Sequence, residues 1–177
     1  MLQTEKKGML QVYTGNGKGK TTAAFGLALR AASAGMKVYI GQFIKDMQYH
    51  EVHLEKLFPE GQVVIRQLGC GCYIDREPTP QDCEMAQKGL KIVKEIMMKG
   101  EYDLVILDEA TIATSFNLIT KEELLKAIQS RADHVEVVVT GRYAPEELIQ
   151  AADLVTEMRE IKHYYQKGIL SRSGFDH

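Results

Sequence analysis

The chain has no tryptophan, only three cysteines, and no apolar run that approaches the length of a transmembrane helix. A membrane-spanning helix needs about 20 mostly apolar residues in a row, and the apolar runs here are far shorter. The cysteines are odd in number, and the charged N-terminus is not followed by the apolar region of a secretion signal, which argues against a disulfide framework. We therefore expect a cytoplasmic protein without membrane contact.

The net charge is also small, −2 at pH 7, because 24 acidic side chains nearly balance 22 basic ones. No basic stripe with interleaved aromatic residues appears, so nucleic acid is not an expected partner. The length of 177 residues favours one domain, and a chain of this size buries about 70% of its unfolded surface on folding. We expect a single domain over residues 1–177.

The most informative feature of the chain is the segment from Met9 to Thr22, an apolar strand followed by a glycine-rich turn and the start of a helix. Glycines let successive backbone N–H groups face an anion, and the helix N-terminus adds partial positive charge. Lys20 can neutralise phosphate oxygens, and the Thr21 hydroxyl can ligate Mg²⁺. The segment predicts a polyphosphate-binding loop (P-loop) whose nucleotide-binding residues are Gly15, Asn16, Gly17, Lys18, Gly19, Lys20, Thr21 and Thr22.

This loop departs from the consensus G-x-x-x-x-G-K-[ST] at one position, because Thr14 stands where the first glycine belongs. Gly15 and Gly17 supply the backbone freedom instead. A glycine cluster that only ends a turn is the alternative interpretation. The order of strand, loop, lysine and helix argues against it.

Strand-like and helix-like segments alternate along the whole chain, which is typical of a parallel sheet covered by helices on both faces. The pattern predicts an α/β fold with a mostly parallel sheet, consistent with the P-loop NTPase-like (RecA-like) class. The predicted strands are 10–14, 37–44, 62–67, 103–109, 134–140 and 154–158. The predicted helices are 20–34, 50–58, 80–99, 121–131 and 145–152.

Two acidic residues, Asp108 and Glu109, follow four apolar residues at the end of the predicted strand 103–109. Ligands of a parallel sheet bind beyond the carboxyl ends of its strands, so these acids and the P-loop are expected at the same edge. A threonine hydroxyl, a carboxylate and phosphate oxygens suffice to hold Mg²⁺, which keeps several of its waters. We predict a site for Mg²⁺ (or Mn²⁺) at Thr21, Asp108 and Glu109, and leave open which acid ligates directly.

Three further cations are candidates for contact with the nucleotide. Arg142 follows the predicted strand 134–140 and can bind phosphate in a bidentate manner, with a plain surface arginine as the alternative. Arg30 lies further along the first helix, where it either approaches the nucleotide or holds an acidic side chain. Lys18 is either a second cation for the phosphates or a solvent-facing charge.

A series of motifs runs along nearly the whole chain. They are, in order, TGNGKGKTTAAFG at 14–26 with Arg30-Ala31, QFIK at 42–45, LDE at 107–109, TGR at 140–142, ADLVTEM at 152–158, Lys162-His163 with Gly168, and SGFD at 173–176. With these motifs, the chain resembles the P-loop type of cob(I)alamin (corrinoid) adenosyltransferases. A P-loop with threonine in place of the first glycine is much more specific than a general Walker motif.

The resemblance implies an ATP:corrinoid adenosyltransferase. In this family, Co(I) of a reduced corrinoid attacks the 5′ carbon of ATP and triphosphate leaves, with ATP held in the reverse direction relative to ordinary P-loop proteins. Co(I) is already a strong nucleophile, so no serine, cysteine or histidine nucleophile is required. Lys20 and Glu109 are then the predicted catalytic residues, which stabilise the leaving triphosphate and its metal ion.

One region departs from the family. A well-known member carries a phenylalanine and a tryptophan in the loop after the third strand, where they help to remove the lower ligand of the corrinoid. This chain has no tryptophan there, and Tyr73, with Ile74 beside it, is the candidate for contact with the corrinoid. Core packing and a plain loop are the alternatives.

The resemblance also implies the remaining partners. The substrates are ATP and cob(I)alamin, cobinamide or a cobyrinate-type corrinoid, and the candidate protein partners are a reductase such as a flavodoxin and a second copy in a homodimer. Residues 160–177 are expected to form a C-terminal tail or lid, with Lys162 and His163 as lid candidates.

Two other functions are compatible with the P-loop. One is an ordinary phosphoryl-transferring P-loop NTPase or nucleoside kinase, which would release ADP or phosphate instead of triphosphate. The other is a corrinoid carrier gated by ATP, which would bind its product tightly and not turn over.

Overall fold

The structure is a computed structural model that describes residues 7–44, 50–69 and 77–176. Strands and helices alternate along these residues, as predicted. The strands are β1 Leu10–Thr14, β2 Val38–Gln42, β3 Val63–Gln67, β4 Leu104–Asp108, β5 Glu136–Thr140 and β6 Leu154–Glu157. The helices are α1 Lys20–Ser33, α2 Pro80–Lys99, α3 Ala110–Ser115, α4 Lys121–Gln129 and α5 Glu146–Ala151, with 3₁₀ helices at His50–Leu57 and Tyr164–Lys167.

The six strands form one sheet in the order β3-β2-β4-β5-β1-β6, and each pairing among the described residues is parallel. The prediction of a mostly parallel α/β sheet is therefore confirmed. β5 lies between β1 and β4, so the end of β5 separates the P-loop from the acidic end of β4. This order places three strand ends side by side at the edge where a ligand is expected.

Each face of the sheet carries its own apolar core, because successive side chains of a strand point to opposite faces. α1 covers one face, where its alanines pack on Ile40, Ile106 and Val138. The helices α2, α3, α4 and α5 cover the other face, where Val105 and Val139 are buried. Helices thus lie on both faces, as the sequence predicted.

The helix ends follow from local sequence signals. Thr79 caps α2 and Thr120 caps α4, each in a capping box with the acid three residues later. Gly100 ends α2 in the left-handed conformation, with φ of 66°, which glycine adopts at no steric cost. Among the described residues, no helix combines the length and the apolar character needed to cross a bilayer.

The short helix predicted at 50–58 is present as a 3₁₀ helix, His50–Leu57. The helix α3, Ala110–Ser115, was not predicted, because its six residues are too few to show a clear 3.6-residue period. This missed helix begins directly after the acidic end of β4 and therefore belongs to the site.

Candidate active site

The carboxyl ends of β1, β4 and β5 open into a cavity of about 670 Å³, within the range of about 300–1,000 Å³ that is usual for small-molecule sites. The P-loop lies along one side of this cavity, and Glu109 and Arg142 line it from the ends of β4 and β5. The C-terminal segment also lines the cavity and contributes Tyr164, Phe175 and Asp176. The P-loop and the acidic end of β4 therefore lie at the same cavity, as the sequence predicted.

The P-loop bends at glycine and not at the substituted consensus position. Thr14 is the last residue of β1 and is buried, and its hydroxyl accepts a hydrogen bond from the backbone of Ala144 at 3.4 Å. The turn begins one residue later at Gly15, with φ of 95°, a left-handed conformation that disfavours any side chain. The consensus position needs no glycine here, because the chain is still in the strand at that point.

Gly17 is required for a different reason, namely close approach to β6. Its backbone N–H donates to the carbonyl of Met158 at 2.7 Å, and a Cβ at Gly17 would lie 2.7 Å from that same oxygen. The residue that follows β6 therefore braces the back of the P-loop.

Lys20 is folded beneath the P-loop. The residue is 7% exposed, and its Nζ donates to the carbonyl oxygens of Gly15 at 2.9 Å and Gly17 at 2.8 Å. Burial lowers the pKa of Lys20 and the charge of Arg142 adds to this, while the carboxylates of Glu109 and Asp108 oppose the shift. A buried cation held by carbonyl dipoles is well placed to exchange them for phosphate oxygens.

Asp108 is fully buried at the end of β4 and accepts hydrogen bonds on both oxygens. Its Oδ1 receives the hydroxyls of Thr21 at 2.9 Å and Thr140 at 2.7 Å. Its Oδ2 receives the side-chain amide of Gln42 at 3.2 Å. Because the Thr21 proton is directed to Asp108, the lone pairs of the Thr21 oxygen are available to a cation.

Glu109 follows Asp108 in the left-handed conformation, with φ of 59°, and is the residue from which α3 begins. A non-glycine residue in this region carries backbone strain of about 1–3 kcal/mol, and such strain clusters at functional sites. The backbone N–H of Glu109 donates to Thr140 Oγ1 at 3.0 Å. Thr140 thus joins the two acids, since its hydroxyl accepts from one residue and donates to the other.

Sequence reasoning missed two polar residues of this network, Thr140 and Gln42. Both stand last in a strand that ends at the site, and both belong to motifs quoted above, TGR and QFIK. Gln42 is opposite Asp108 in the register of β2 and β4. The signal that could have identified them is their position as polar residues that end apolar strands.

We expect Thr140→Val to lower the free energy of unfolding by about 1–3 kcal/mol, because the substitution keeps the shape but leaves the Glu109 N–H without its acceptor. Chemical denaturation of the variant and the parent protein measures this difference. Thr156→Val, on the exposed strand β6, is the matched control and is expected to change stability by less than about 0.5 kcal/mol. Equal effects of the two variants would contradict a special role for the Thr140 hydroxyl.

The other predicted site residues fall into three groups. Asn16, Lys18, Thr22, Arg142 and His163 line the cavity. Arg30 is exposed on α1 and Lys162 is exposed in the tail; neither is among the lining residues. Tyr73 lies outside the described residues, as does Ile74, so the role of Tyr73 stays a prediction.

Comparison with known proteins identifies the family. Residues 6–177 match the model of the family described as ATP:corrinoid adenosyltransferase BtuR/CobO/CobP. The chain belongs to this family. The predicted resemblance is therefore confirmed over almost the entire chain.

Curated relatives agree with the family assignment. The chain is similar to proteins named corrinoid adenosyltransferase from Pseudomonas aeruginosa, at 36% identity over 97% of this chain and 85% of the relative, and from Escherichia coli, at 33% identity over 98% and 87%. A further corrinoid adenosyltransferase, from a Sinorhizobium species, is 39% identical over 98% of this chain and 82% of its own length.

The fold is also similar to that of the flagellar accessory protein FlaH from Methanocaldococcus jannaschii, with a TM-score of 0.59 over 86% of this chain and 71% of the other. Sequence identity there is 14%, so this likeness concerns the fold alone. The fold class is thereby confirmed independently of the sequence family.

Proposed function

We propose that this protein transfers the 5′-deoxyadenosyl group of ATP to Co(I) of a reduced corrinoid and releases triphosphate, in the synthesis or salvage of adenosylcobalamin. The strongest support is the combination of two observations: the match to the family model over residues 6–177 and a P-loop whose lysine is buried beneath it. The family match indicates the reaction. The P-loop provides a binding site for the leaving triphosphate.

In this proposal, the protein's task is to orient ATP and to stabilise the triphosphate. The electron pair comes from the cobalt of the second substrate, so a protein nucleophile has no part in the reaction. Transfer requires the 5′ carbon to lie in line between the cobalt and the departing oxygen. Charge develops on that oxygen as the bond breaks, and Lys20 with the backbone N–H groups of the P-loop is the set of donors proposed to receive it.

A divalent cation is part of the proposal, and the residues present fit Mg²⁺ (or Mn²⁺). Thr21, Asp108 and Glu109 supply only oxygen atoms, which these cations prefer. No cluster of three histidine, cysteine or acidic side chains suited to a metal ion exists among the described residues. This matches a cation that takes one or two protein ligands and completes its shell with water and phosphate. When bound, it would neutralise charge on the triphosphate.

The hydrogen bonds of Asp108 suggest different roles for Asp108 and Glu109 at the proposed cation site. Asp108 already receives three protein donors, whereas Glu109 lines the open cavity. We therefore propose that Thr21 contacts the cation directly, that Asp108 orients Thr21 and a bound water, and that Glu109 faces the cation or its waters from the cavity side.

Glu109→Gln should lower the rate of adenosyl transfer by about 10- to 100-fold at limiting Mg²⁺, and raised Mg²⁺ should restore part of the loss. The amide keeps the size of the side chain and removes the negative charge that attracts the cation. Initial rates across a series of Mg²⁺ concentrations measure the effect. A rate equal to that of the parent protein at limiting Mg²⁺ would remove Glu109 from the cation site.

The partners of this reaction are proposed on the same basis. Cobalt must be reduced to Co(I) before it can attack, and a reductase such as a flavodoxin in the cytoplasm is the proposed source of electrons. We also propose a homodimer, as expected from the family.

One experiment tests the proposed function against its rivals. The protein is mixed with ATP, Mg²⁺ and chemically reduced cobalamin, the cobalt–carbon bond is followed by absorbance, and the phosphorus products are separated. We expect repeated turnover with one triphosphate per adenosylated corrinoid. Release of ADP or phosphate without a cobalt–carbon bond would indicate a phosphoryl-transfer enzyme, and a single equivalent of tightly held product would indicate a carrier.

A further inference from the structure

Residues 163–176, here called the C-terminal strap, contribute part of the lining of the P-loop cavity, including Tyr164, Phe175 and Asp176. The strap begins with the 3₁₀ helix Tyr164–Lys167 and turns back at Gly174, whose φ is 75°. It is tied to the rest of the protein at two points. Ser173 Oγ lies 2.9 Å from His50 Nε2 on one side, and Asp176 contacts the P-loop residue Lys18 on the other.

The Asp176 carboxylate is the centre of the second tie and collects donors from both parts of the protein. Lys18 Nζ and the Tyr164 hydroxyl donate to its Oδ1. The backbone N–H and the Nε of Arg172 donate to its Oδ2 at 3.0 and 3.2 Å. The hydrogen bonds from Lys18 and Tyr164 hold the pKa of Asp176 well below its usual range, so the carboxylate is ionised at neutral pH.

Lys18 is held entirely on the strap side in this arrangement. Besides Asp176, its Nζ donates to the Phe175 carbonyl at 2.5 Å and to the Tyr164 hydroxyl at 3.1 Å. Burial alone would lower the pKa of Lys18, but the bonds to Asp176 and Tyr164 outweigh it and the pKa is raised. An ammonium group has three N–H donors, and the strap supplies an acceptor for each of them.

The same Lys18 is part of the P-loop and lines the cavity beside Lys20. A polyphosphate bound along that loop carries several negative charges, against one on Asp176, and would attract the ammonium group more strongly. Lys18 cannot give all its donors to the strap and also neutralise phosphate. Asp176 and the polyphosphate would therefore compete for the N–H donors of Lys18, although Arg172 also contacts Asp176 and Lys20 also serves the P-loop.

We infer that the C-terminal strap and the polyphosphate tail of the nucleotide compete for Lys18. Asp176 holds Lys18 when no nucleotide is bound, and binding of the polyphosphate takes Lys18 from Asp176 and loosens the strap over the cavity. Departure of triphosphate returns Lys18 to Asp176. This inference rests on the proposed function only in that it takes the P-loop to bind the tail of ATP.

The test is a comparison of ATP affinity by titration calorimetry in the parent protein, Asp176→Asn, Lys18→Ala and the double variant. The asparagine side chain keeps the shape of the aspartate and lacks its charge, so ATP no longer has to displace an anion. Since a partly exposed ion pair is lost from the free protein, we expect Asp176→Asn to bind ATP about two- to fivefold more tightly. In the Lys18→Ala background the same substitution should leave the affinity unchanged.

A matched control and a second ligand sharpen the result. Glu160→Gln removes one negative charge near the strap, where Glu160 contacts Gln166 and not Lys18, and should leave ATP affinity unaltered. Inorganic triphosphate carries the charge without the nucleoside and should show the same gain with Asp176→Asn. Weaker ATP binding by Asp176→Asn would mean that Asp176 positions Lys18 for the nucleotide, and this result would overturn the inference of competition. An equal gain in ATP affinity from Asp176→Asn in the Lys18→Ala background would overturn it as well.

Hydrogen exchange of the strap gives an independent readout. The amide of Arg172 is bonded to Asp176, and we expect the amides of residues 163–176 to exchange faster when ATP or triphosphate is added to the parent protein. Slower exchange would overturn the inference. If the parent protein did not bind ATP, both the proposed function and this inference would be overturned. If the parent protein transferred adenosyl normally and Asp176→Asn bound ATP with the same affinity as the parent, only this inference would be overturned.

Discussion

Lys20→Ala is expected to abolish measurable ATP binding and to reduce adenosyl transfer by at least about 100-fold. Lys20 is the buried cation of the P-loop, and its Nζ donates to the carbonyl oxygens of Gly15 and Gly17, which phosphate oxygens can replace. Loss of one preorganised donor to a developing negative charge typically costs about 2.7–4 kcal/mol of transition-state stabilisation. Calorimetric titration with ATP and the rate of cobalt–carbon bond formation measure the two losses separately.

Lys18→Ala is the natural comparison for this prediction, because Lys18 lies two residues earlier in the same loop and is more exposed. Its side chain is 41% exposed, so screening by water should confine its effect to about tenfold or less. A Lys20→Ala protein that binds ATP within about threefold of the parent would show that the P-loop of this chain does not use its lysine.

Asp108→Asn should damage both the fold and the reaction. The buried carboxylate accepts two hydroxyls and one amide, whereas an asparagine side chain has only one accepting oxygen. Whichever position its NH₂ group takes, at least one of the groups that donate to Asp108 loses its acceptor. We expect the free energy of unfolding to fall by about 1–3 kcal/mol and metal-dependent transfer to fall by about 10- to 100-fold.

Asp103→Asn is the matched control, since Asp103 immediately precedes β4 at the opposite edge of the sheet and accepts from the backbone of Lys37 there. That variant should bind ATP and Mg²⁺ as the parent protein does. Denaturation curves give the change in stability for both variants, and binding of Mn²⁺ in the presence of ATP, followed by electron paramagnetic resonance, gives the change in metal affinity. Unchanged Mn²⁺ binding by Asp108→Asn would exclude Asp108 from the cation site.

The sequence was sufficient for the parts of the molecule that depend on local signals. The order of strand, glycines, Lys20 and helix predicted the P-loop, because all the residues that form it are adjacent in the chain. Likewise, Thr79 and Thr120 predicted the starts of α2 and α4, because a capping box needs only four consecutive residues. The edge of the sheet where Asp108 meets the P-loop followed from a general rule about parallel sheets.

What the sequence did not show depends on contacts between distant residues. The link between Lys18 and Asp176 joins residues that are 158 positions apart, and neither residue has a neighbour in sequence that signals it. Thr140 connects Asp108 to Glu109 only because β5 lies beside β4, an adjacency that local patterns do not encode. The helix α3 was missed because it is short and starts from a strained Glu109, a conformation that tertiary structure imposes and local propensity does not.

The brace between Gly17 and Met158 has a consequence for how the protein matures. The P-loop is made near the start of the chain, yet the carbonyl that supports it follows the last strand of the sheet. During synthesis the N-terminal part emerges first, and a nascent chain that stops short of β6 has the residues of the loop without their support. The protein should therefore become able to bind a nucleotide only after β6 has paired with β1. Nucleotide binding by a nascent chain would then indicate that the sheet has formed as far as β6.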